Sequence, residues 1–560
     1  MKKDQFSLLI ITAVILLFTI PFLNMGYHVD ADWFMDIAEQ ILKDPFRAYS
    51  GYSDIGGFSG IIKDTPANST PLVSYYLALI FLLFGRHEIV VHASYIPLYL
   101  MVGISFYYLA KRFVSKPLLT TLIMISTLSF VFMSHNIMLD VPMMGIFLLS
   151  VTFFVYGVDK NNNTLMILGS IFAALAYLAK PNGIVVIALI PLYAFIQKKY
   201  RYMGYFVIPV IMITLWSLMT YFLEGRIWIL VHLPFLYALK SSLDPNIMMA
   251  YFFSNISYIG GATIFPLFFI YPFILEKKNR ILLVIPLIFM IVTSLILYYL
   301  SFSFISGNYT ILELSLFTFY TTAFIFFMLV VLREYHKNIL NCFKSIFKNK
   351  NIKCNKNIFF LLLWFFGVYL FNTFISGGSA KYATLVAPPL VLVFALLLQK
   401  YSLRLKINYS KLLFIVFVIT TPISMAVSYA DYQFANVYRD FSRNVASTYK
   451  TENNTVWYNG LYGLRYYMRE QNSPILLTKS NEPRQGDFIM VARIPSPRPF
   501  SNELKERIEL VGTISYYGGI PIRTQNPDSH AGFYTYGGGF LPYSFSNATF
   551  ENFDIYYVEK

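Results

Sequence analysis

The sequence predicts a polytopic α-helical membrane protein of about thirteen spans with a small α+β domain at its C-terminus. Three observations predict it. Of 560 residues, 57% are hydrophobic and only 13% are charged. Apolar runs of about 18 or more residues recur as far as position 430, and each crossing of a bilayer needs about 20. The net charge of +15 gathers in the short segments between those runs. That is the asymmetry of the positive-inside rule, and it speaks against a nucleic-acid surface.

Span 1 covers about 7–23. Lys2 and Lys3 precede it and no small-residue cleavage site occurs before Asn24, so it reads as a retained span with its start in the cytoplasm. An external loop over 24–88 follows, with an acidic helix from Asp30 onward. In it Trp33, Phe34, Ile37, Ala38, Ile41 and Leu42 keep helical spacing. The apolar run 72–84 is too short to cross and is expected to lie along the interface. Counting it as a span would turn every later basic loop outward. Spans 2 to 7 are expected at about 89–110, 117–134, 142–157, 164–179, 184–197 and 203–222. Span 8 ends at the basic cluster 276–280. Spans 9 and 10 flank an outer loop at 306–308, with an inner basic loop over 333–356. Spans 11 to 13 cover about 357–375, the stretch leading to Lys400, and 412–429. The N-terminus is then cytoplasmic and the C-terminus extracytoplasmic in a multi-pass cell-membrane protein.

From 431 to 560 the pattern changes to short strand-like runs (455–458, 475–478, 488–492, 510–517 and 554–558) and one helix (461–469). This is the external α+β domain, following a membrane domain of 1–430. Cys342 and Cys354 share one basic loop, which leaves no disulfide framework elsewhere and argues against a cysteine zinc site.

Sorting polar residues by side leaves Asp30, Asp32, Asp140, Lys180 and Lys381 outside, each near a span end. A lysine suits a phosphate as a point charge, and a carboxylate can take a proton from an acceptor or hold a hard cation. Blander roles stand beside these. Asp30 and Asp140 suit helix caps, and the lysines suit snorkelling at span ends. His28, His92, His135 and His232 lack ligand spacing. The Tyr/Gly-rich stretch 532–543 suits either sugar stacking or packing of a small domain, with packing favoured.

Asp30 is followed by Phe34, Ile37, Ala38, Ile41 and Leu42; Thr70-Pro71 leads to Phe84-Gly85; Leu139-Asp140-Val141-Pro142-Met143 follows span 3. Leu178-Ala179-Lys180-Pro181-Asn182-Gly183, then Lys381-Tyr382 to Pro388-Pro389, and Val456-Trp457-Tyr458-Asn459-Gly460 come later in order. Together these resemble the GT-C glycosyltransferases that use polyprenyl-phosphate sugars, of the protein O-mannosyltransferase and aminoarabinose transferase type. The resemblance implies a GT-C fold with juxtamembrane helices. It implies an inverting transfer from a dolichyl or undecaprenyl monophosphate sugar to a protein, lipid or glycan acceptor. Asp30 would be the base, with Ala31 where relatives carry a glutamate and Asp32 as its substitute. Asp140 would position the acceptor or, with Asp30, hold a divalent metal, a cofactor left open. Lys180 and Lys381, with Tyr382, Arg86, Arg226 and His92, would meet the donor. A transporter or lipid flippase is the competing class, but it calls for internal repeats and mid-span charge. The nearest mid-span carboxylate, Glu313, falls only a few residues into span 10. An oligosaccharide transferase with a pyrophosphate-linked donor is a third reading.

Overall fold

The computed structural model describes residues 3–53, 60–62, 69–232, 245–264, 309–347, 352–376, 378–476, 482–495 and 497–559. Among them, eight helices are long and apolar enough to cross a membrane: Asp4–Phe22, Glu88–Phe113, Asp140–Lys160, Tyr200–Glu224, Ile311–Ile346, Lys356–Phe374, Ala380–Leu405 and Tyr409–Tyr449. They correspond to expected spans 1, 2, 4, 7, 10, 11, 12 and 13. Spans 3, 5 and 6 fall in shorter apolar helices, so length alone does not reach thirteen. Span 3 is divided at Thr127, whose extended ψ separates Pro117–Ser126 from Leu128–Met133. The end of span 8, span 9 and the loop at 306–308 lie outside the described residues.

The helix Leu72–Phe84 has 13 residues, about 20 Å at 1.5 Å per residue, too short for a hydrocarbon core of about 30 Å. It packs on the acidic helix, where Ser74 Oγ donates to Phe34 O at 3.1 Å. Helix Ile311–Phe347 runs 37 residues, well into the basic loop expected from 333. No Gly or Pro interrupts it, and Tyr335, Ile339, Cys342 and Ile346 continue its apolar face at helical spacing. Cys342 and Cys354 are joined as a disulfide in that basic segment. Glu313 caps its own helix: the Thr310 amide donates to Glu313 Oε2 at 2.8 Å, and the Glu313 amide donates to Thr310 Oγ1 at 3.2 Å. That reciprocal pairing is a capping box, so this carboxylate serves the helix terminus.

Helix Tyr409–Asp440 continues beyond the expected end of span 13 and carries the chain into the C-terminal domain. There, four strands form one sheet: β1 (Val456–Asn459), β2 (Phe488–Ala492), β3 (Ile508–Tyr516) and β4 (Glu551–Val558), in spatial order β1-β2-β4-β3. β1 runs parallel to β2, and β4 is antiparallel to both its neighbours. Helix Tyr462–Glu470 falls where the sequence places one. Of the expected strand at 475–478, Ile475 makes a single bridge to Tyr458 and residues 477 and 478 lie outside the described set.

Residues 530–543 wedge against the membrane helices. Phe533 stacks on Phe132 with centroids 3.6 Å apart, Tyr258 Oη donates to Gly539 O, and His530 Nδ1 lies 3.2 Å from Glu313 Oε2. Here the Tyr/Gly-rich stretch packs.

Glu551, at the start of β4, accepts from Tyr438 Oη at 2.9 Å and from the amides of Arg493, Ile494 and Asn552. Burial pushes its carboxyl up to about 7, against these hydrogen bonds. A raised folded pKa gives stability that is present below the ordinary value of 4.5 and lost as pH rises through about 7. The melting temperature is therefore expected to fall across that window in the native protein. In Glu551→Gln, which keeps an acceptor oxygen without titrating, thermal denaturation should show that fall reduced.

Candidate functional site

Asp30 stands at the N-cap of the acidic helix Ala31–Lys43, yet its side chain makes no capping hydrogen bond. The first turn closes through backbone, from the amide of Trp33 to Asp30 O at 3.1 Å. The carboxylate is therefore not consumed by its own helix, and at 43% exposed it faces open space, against 3% for Asp140. Val29, just before it, has φ +52°. A β-branched residue in the left-handed region is a true outlier, costing about 1–3 kcal/mol, and persists only where its surroundings hold it. Those surroundings are specific. The Gly26 amide donates to Asn436 Oδ1 and the Tyr27 amide to Tyr467 Oη, both at 2.8 Å.

Lys381 brings a cation to Asp30, with Nζ 3.6 Å from Oδ2. Its turn is fixed from several sides. The Lys381 amide donates to Phe533 O at 3.0 Å, Ser379 Oγ to Phe533 O and Tyr534 O, and Asn372 Nδ2 to Tyr382 O at 3.1 Å. The Tyr382 ring then links two ammonium groups. Lys381 Nζ lies 5.8 Å from its centroid and Lys180 Nζ 5.0 Å, both within cation–π range. Lys180 closes the series on Asp140 Oδ1 at 2.6 Å. Asp140 is the first residue of helix Asp140–Lys160, whose N-cap is Leu139. Its second oxygen, Oδ2, is buried with no hydrogen-bond partner among the described residues. Asp30, Lys381, Tyr382, Lys180 and Asp140 thus form one continuous cluster, from an open carboxylate to a buried one.

Other residues singled out in the sequence make their contacts elsewhere. Asp32 is buried against Arg465 Nη1 at 2.6 Å. Arg86 pairs with Glu39 at 2.5 Å. Both line a cavity of about 500 Å³ together with Met35, Asp36, Arg469 and Glu470. His92 Nδ1 lies 2.8 Å from Glu88 O, and its ring stacks on Tyr27. Arg226 lies over the Trp228 ring at 5.8 Å.

Sequence reading missed several residues that support the cluster. Arg465 is the clearest; an arginine among the buried Gly463, Leu464, Tyr467 and Met468 of a short helix was the available signal. Tyr467, Asn436 and Phe533 carry no such signal, because their roles depend on contacts across the chain. His28 is buried among the rings of Phe434, Tyr438, Tyr462 and Tyr534, with Nε2 3.9 Å from Asp431 Oδ1. Burial pushes its imidazole down to about 3, so it is neutral at ordinary pH.

Among the described residues, no three or more His, Cys, Asp or Glu side chains converge on one point. Asp30 and Asp140 each already have an ammonium group beside them. This donor set does not fit a divalent cation, and no step is derived through one.

Residues 65–221 match the family model of the dolichyl-phosphate-mannose-protein mannosyltransferases. The matched segment runs from Thr70-Pro71 through Asp140 and Lys180, and over it the resemblance read from the motifs is borne out. No curated protein matches the chain in sequence. Among solved structures, the archaeal oligosaccharyltransferase AglB from Archaeoglobus fulgidus, with an inhibitory peptide and a dolichol-phosphate, is 13% identical with a TM-score of 0.43. That match covers 87% of this chain and 62% of the oligosaccharyltransferase, so the chain spans less than two thirds of that protein. ArnT from Cupriavidus metallidurans bound to undecaprenyl phosphate is 13% identical with a TM-score of 0.37, covering 87% of this chain and 93% of ArnT. Likeness at this level carries no functional weight.

The Lys180–Asp140 pair is buried, so removing one partner strands the other charge. Lys180→Met and Asp140→Leu are each expected to cost about 3–5 kcal/mol. The double variant should cost less than the sum of the two. Denaturation of all three variants in the same detergent checks it.

Proposed function

We propose that the protein is an inverting glycosyltransferase. It moves a sugar from a polyprenyl monophosphate to a protein, lipid or glycan acceptor at the outer face of the membrane. The single observation that carries this reading is the cluster itself: an exposed carboxylate against one lysine, a second lysine across a shared tyrosine ring, and a buried carboxylate paired with that second lysine. The family match over 65–221 supports it.

In this reading Asp30 takes the proton of the acceptor hydroxyl or amine. The acceptor heteroatom attacks the anomeric carbon from the side opposite the phosphate, the bond from that carbon to the phosphate oxygen breaks, and polyprenyl phosphate leaves with the electron pair. One displacement inverts the anomeric configuration. Lys381 and Lys180 neutralise the charge that grows on the leaving phosphate, in a site already arranged for it. Asp140, paired with Lys180, helps to position the acceptor. The membrane domain is taken as 1–430 and the external domain as 431–560, with the N-terminus cytoplasmic. The donor is lipid-borne, because the site faces away from the cytoplasm and the sequence has no Gly-rich nucleotide loop.

Asp30→Asn is expected to abolish transfer while leaving folding and donor binding intact. Incubation of the purified protein with labelled polyprenyl-phosphate sugars, followed by mass analysis of membrane acceptors, checks it. Retained turnover removes Asp30 as the base. Lys381→Met is expected to weaken donor use about tenfold or more, read as kcat/KM for the labelled donor, the scale of a lost charge-assisted contact.

A further inference from the structure

We infer that the C-terminal domain sets the geometry of the site, with Arg465 and Tyr467 as positioning residues for Asp30; this rests on the proposed role of Asp30 as base. The backbone just ahead of Asp30 is strained. Val29 at φ +52° would relax to a commoner conformation if its flanks were free, and that would swing residue 30. The flanks are held by side chains from far along the chain. Tyr467 Oη accepts from the Tyr27 amide, and Asn436 Oδ1 from the Gly26 amide. Gly463 lies so close that a Cβ there would come within 2.3 Å of Tyr27 O, which puts helix Tyr462–Glu470 directly on the strained turn.

Arg465 holds the other side of Asp30. Its Nη1 donates to Asp32 Oδ2 at 2.6 Å and its Nη2 to Asp36 Oδ2, while Arg469 Nη1 reaches Asp36 Oδ1 at 2.7 Å. Asp32 and Asp36 are one helical turn apart on the acidic helix, so one planar guanidinium spans them and fixes the rotation of that helix. Asp30 is its N-cap residue, so that rotation decides where the carboxylate points. The same domain also holds the cation. Phe533 O accepts from the Lys381 amide, and Ser379 beside it donates to the carbonyls of Phe533 and Tyr534. Asp30 and Lys381 come from opposite ends of the membrane domain, and residues beyond 455 hold the backbone of both.

A lysine at 465 keeps the charge but has no fork, so it can satisfy one carboxylate geometry and not both. Arg465→Lys and Tyr467→Phe, in the full chain, are the tests, with two readouts. The first is amide hydrogen exchange over residues 24–36, measured without substrate; it is expected to accelerate at least tenfold in both variants, with helix Asp140–Lys160 unchanged as internal reference. The second is turnover of a labelled polyprenyl-phosphate sugar per donor-binding site. There kcat is expected to fall tenfold or more while KM for the donor stays within twofold.

Unchanged exchange over 24–36 overturns the inference. So does faster exchange with kcat kept within twofold, because the contact is then purely structural. Failure of the proposed function is seen separately, as turnover retained in Asp30→Asn or absent from the native protein, and the exchange arm still decides whether the clamp exists. If Arg465→Lys does not fold, Tyr467→Phe, which removes one hydroxyl, decides alone.

Discussion

The structure around the site depends on one buried guanidinium. Asp32 and Asp36 are both buried on a helix that sits directly after the first span. Two unpaired carboxylates could not stay there, since each would carry a desolvation cost of several kcal/mol. Arg465 makes the burial possible, joining residues 433 and 429 positions apart. Burial by itself would depress the charge of Arg465, but Asp32 and Asp36 outweigh it and hold its pKa above the ordinary value. The acidic helix and the helix Tyr462–Glu470 therefore form one ionic unit.

Everything nearer the chemistry builds outward from that unit. The turn before Asp30 is strained, and its flanking amides are bound by Tyr467 and Asn436. The Lys381 turn leans on Phe533 and Tyr534. Beyond these turns, the ammonium groups of Lys381 and Lys180 lie between the carboxylates of Asp30 and Asp140, with Tyr382 as spacer between the two lysines. Each ammonium is already balanced before any ligand arrives. Such a site suits an anionic group that gains charge during reaction, because the cations are fixed and need no reorganisation.

The distribution of burial divides the labour among carboxylates. Asp30 is open, Asp140 is buried against Lys180, and Asp32 and Asp36 are structural. Glu313 closes a helix end. In a chain with so few charged residues, each acidic group near the membrane edge has a distinct contact set, and those contacts separate the carboxylate suited to proton transfer from its neighbours.

Much of this was legible in the sequence wherever the signal was local. Apolar runs named the membrane helices, since hydrocarbon demands a fixed length of apolar chain. The 3.6-residue pattern after Asp30 drew the acidic helix, and the short apolar run 488–492 between polar turns drew a strand that falls on those residues. What local pattern could not settle was which charge meets which. Asp32 reads as a stand-in for a second site carboxylate, but its partner lies at 465, and nothing near 32 announces it. Long-range pairing depends on how helices rotate and pack, and that follows from the summed contacts of the whole chain. The sequence by itself determined a helical membrane protein with acidic and basic groups near its span ends. Only the tertiary structure decided that Asp30 meets Lys381, that Asp140 meets Lys180, and that the C-terminal domain holds the first of these pairs in place.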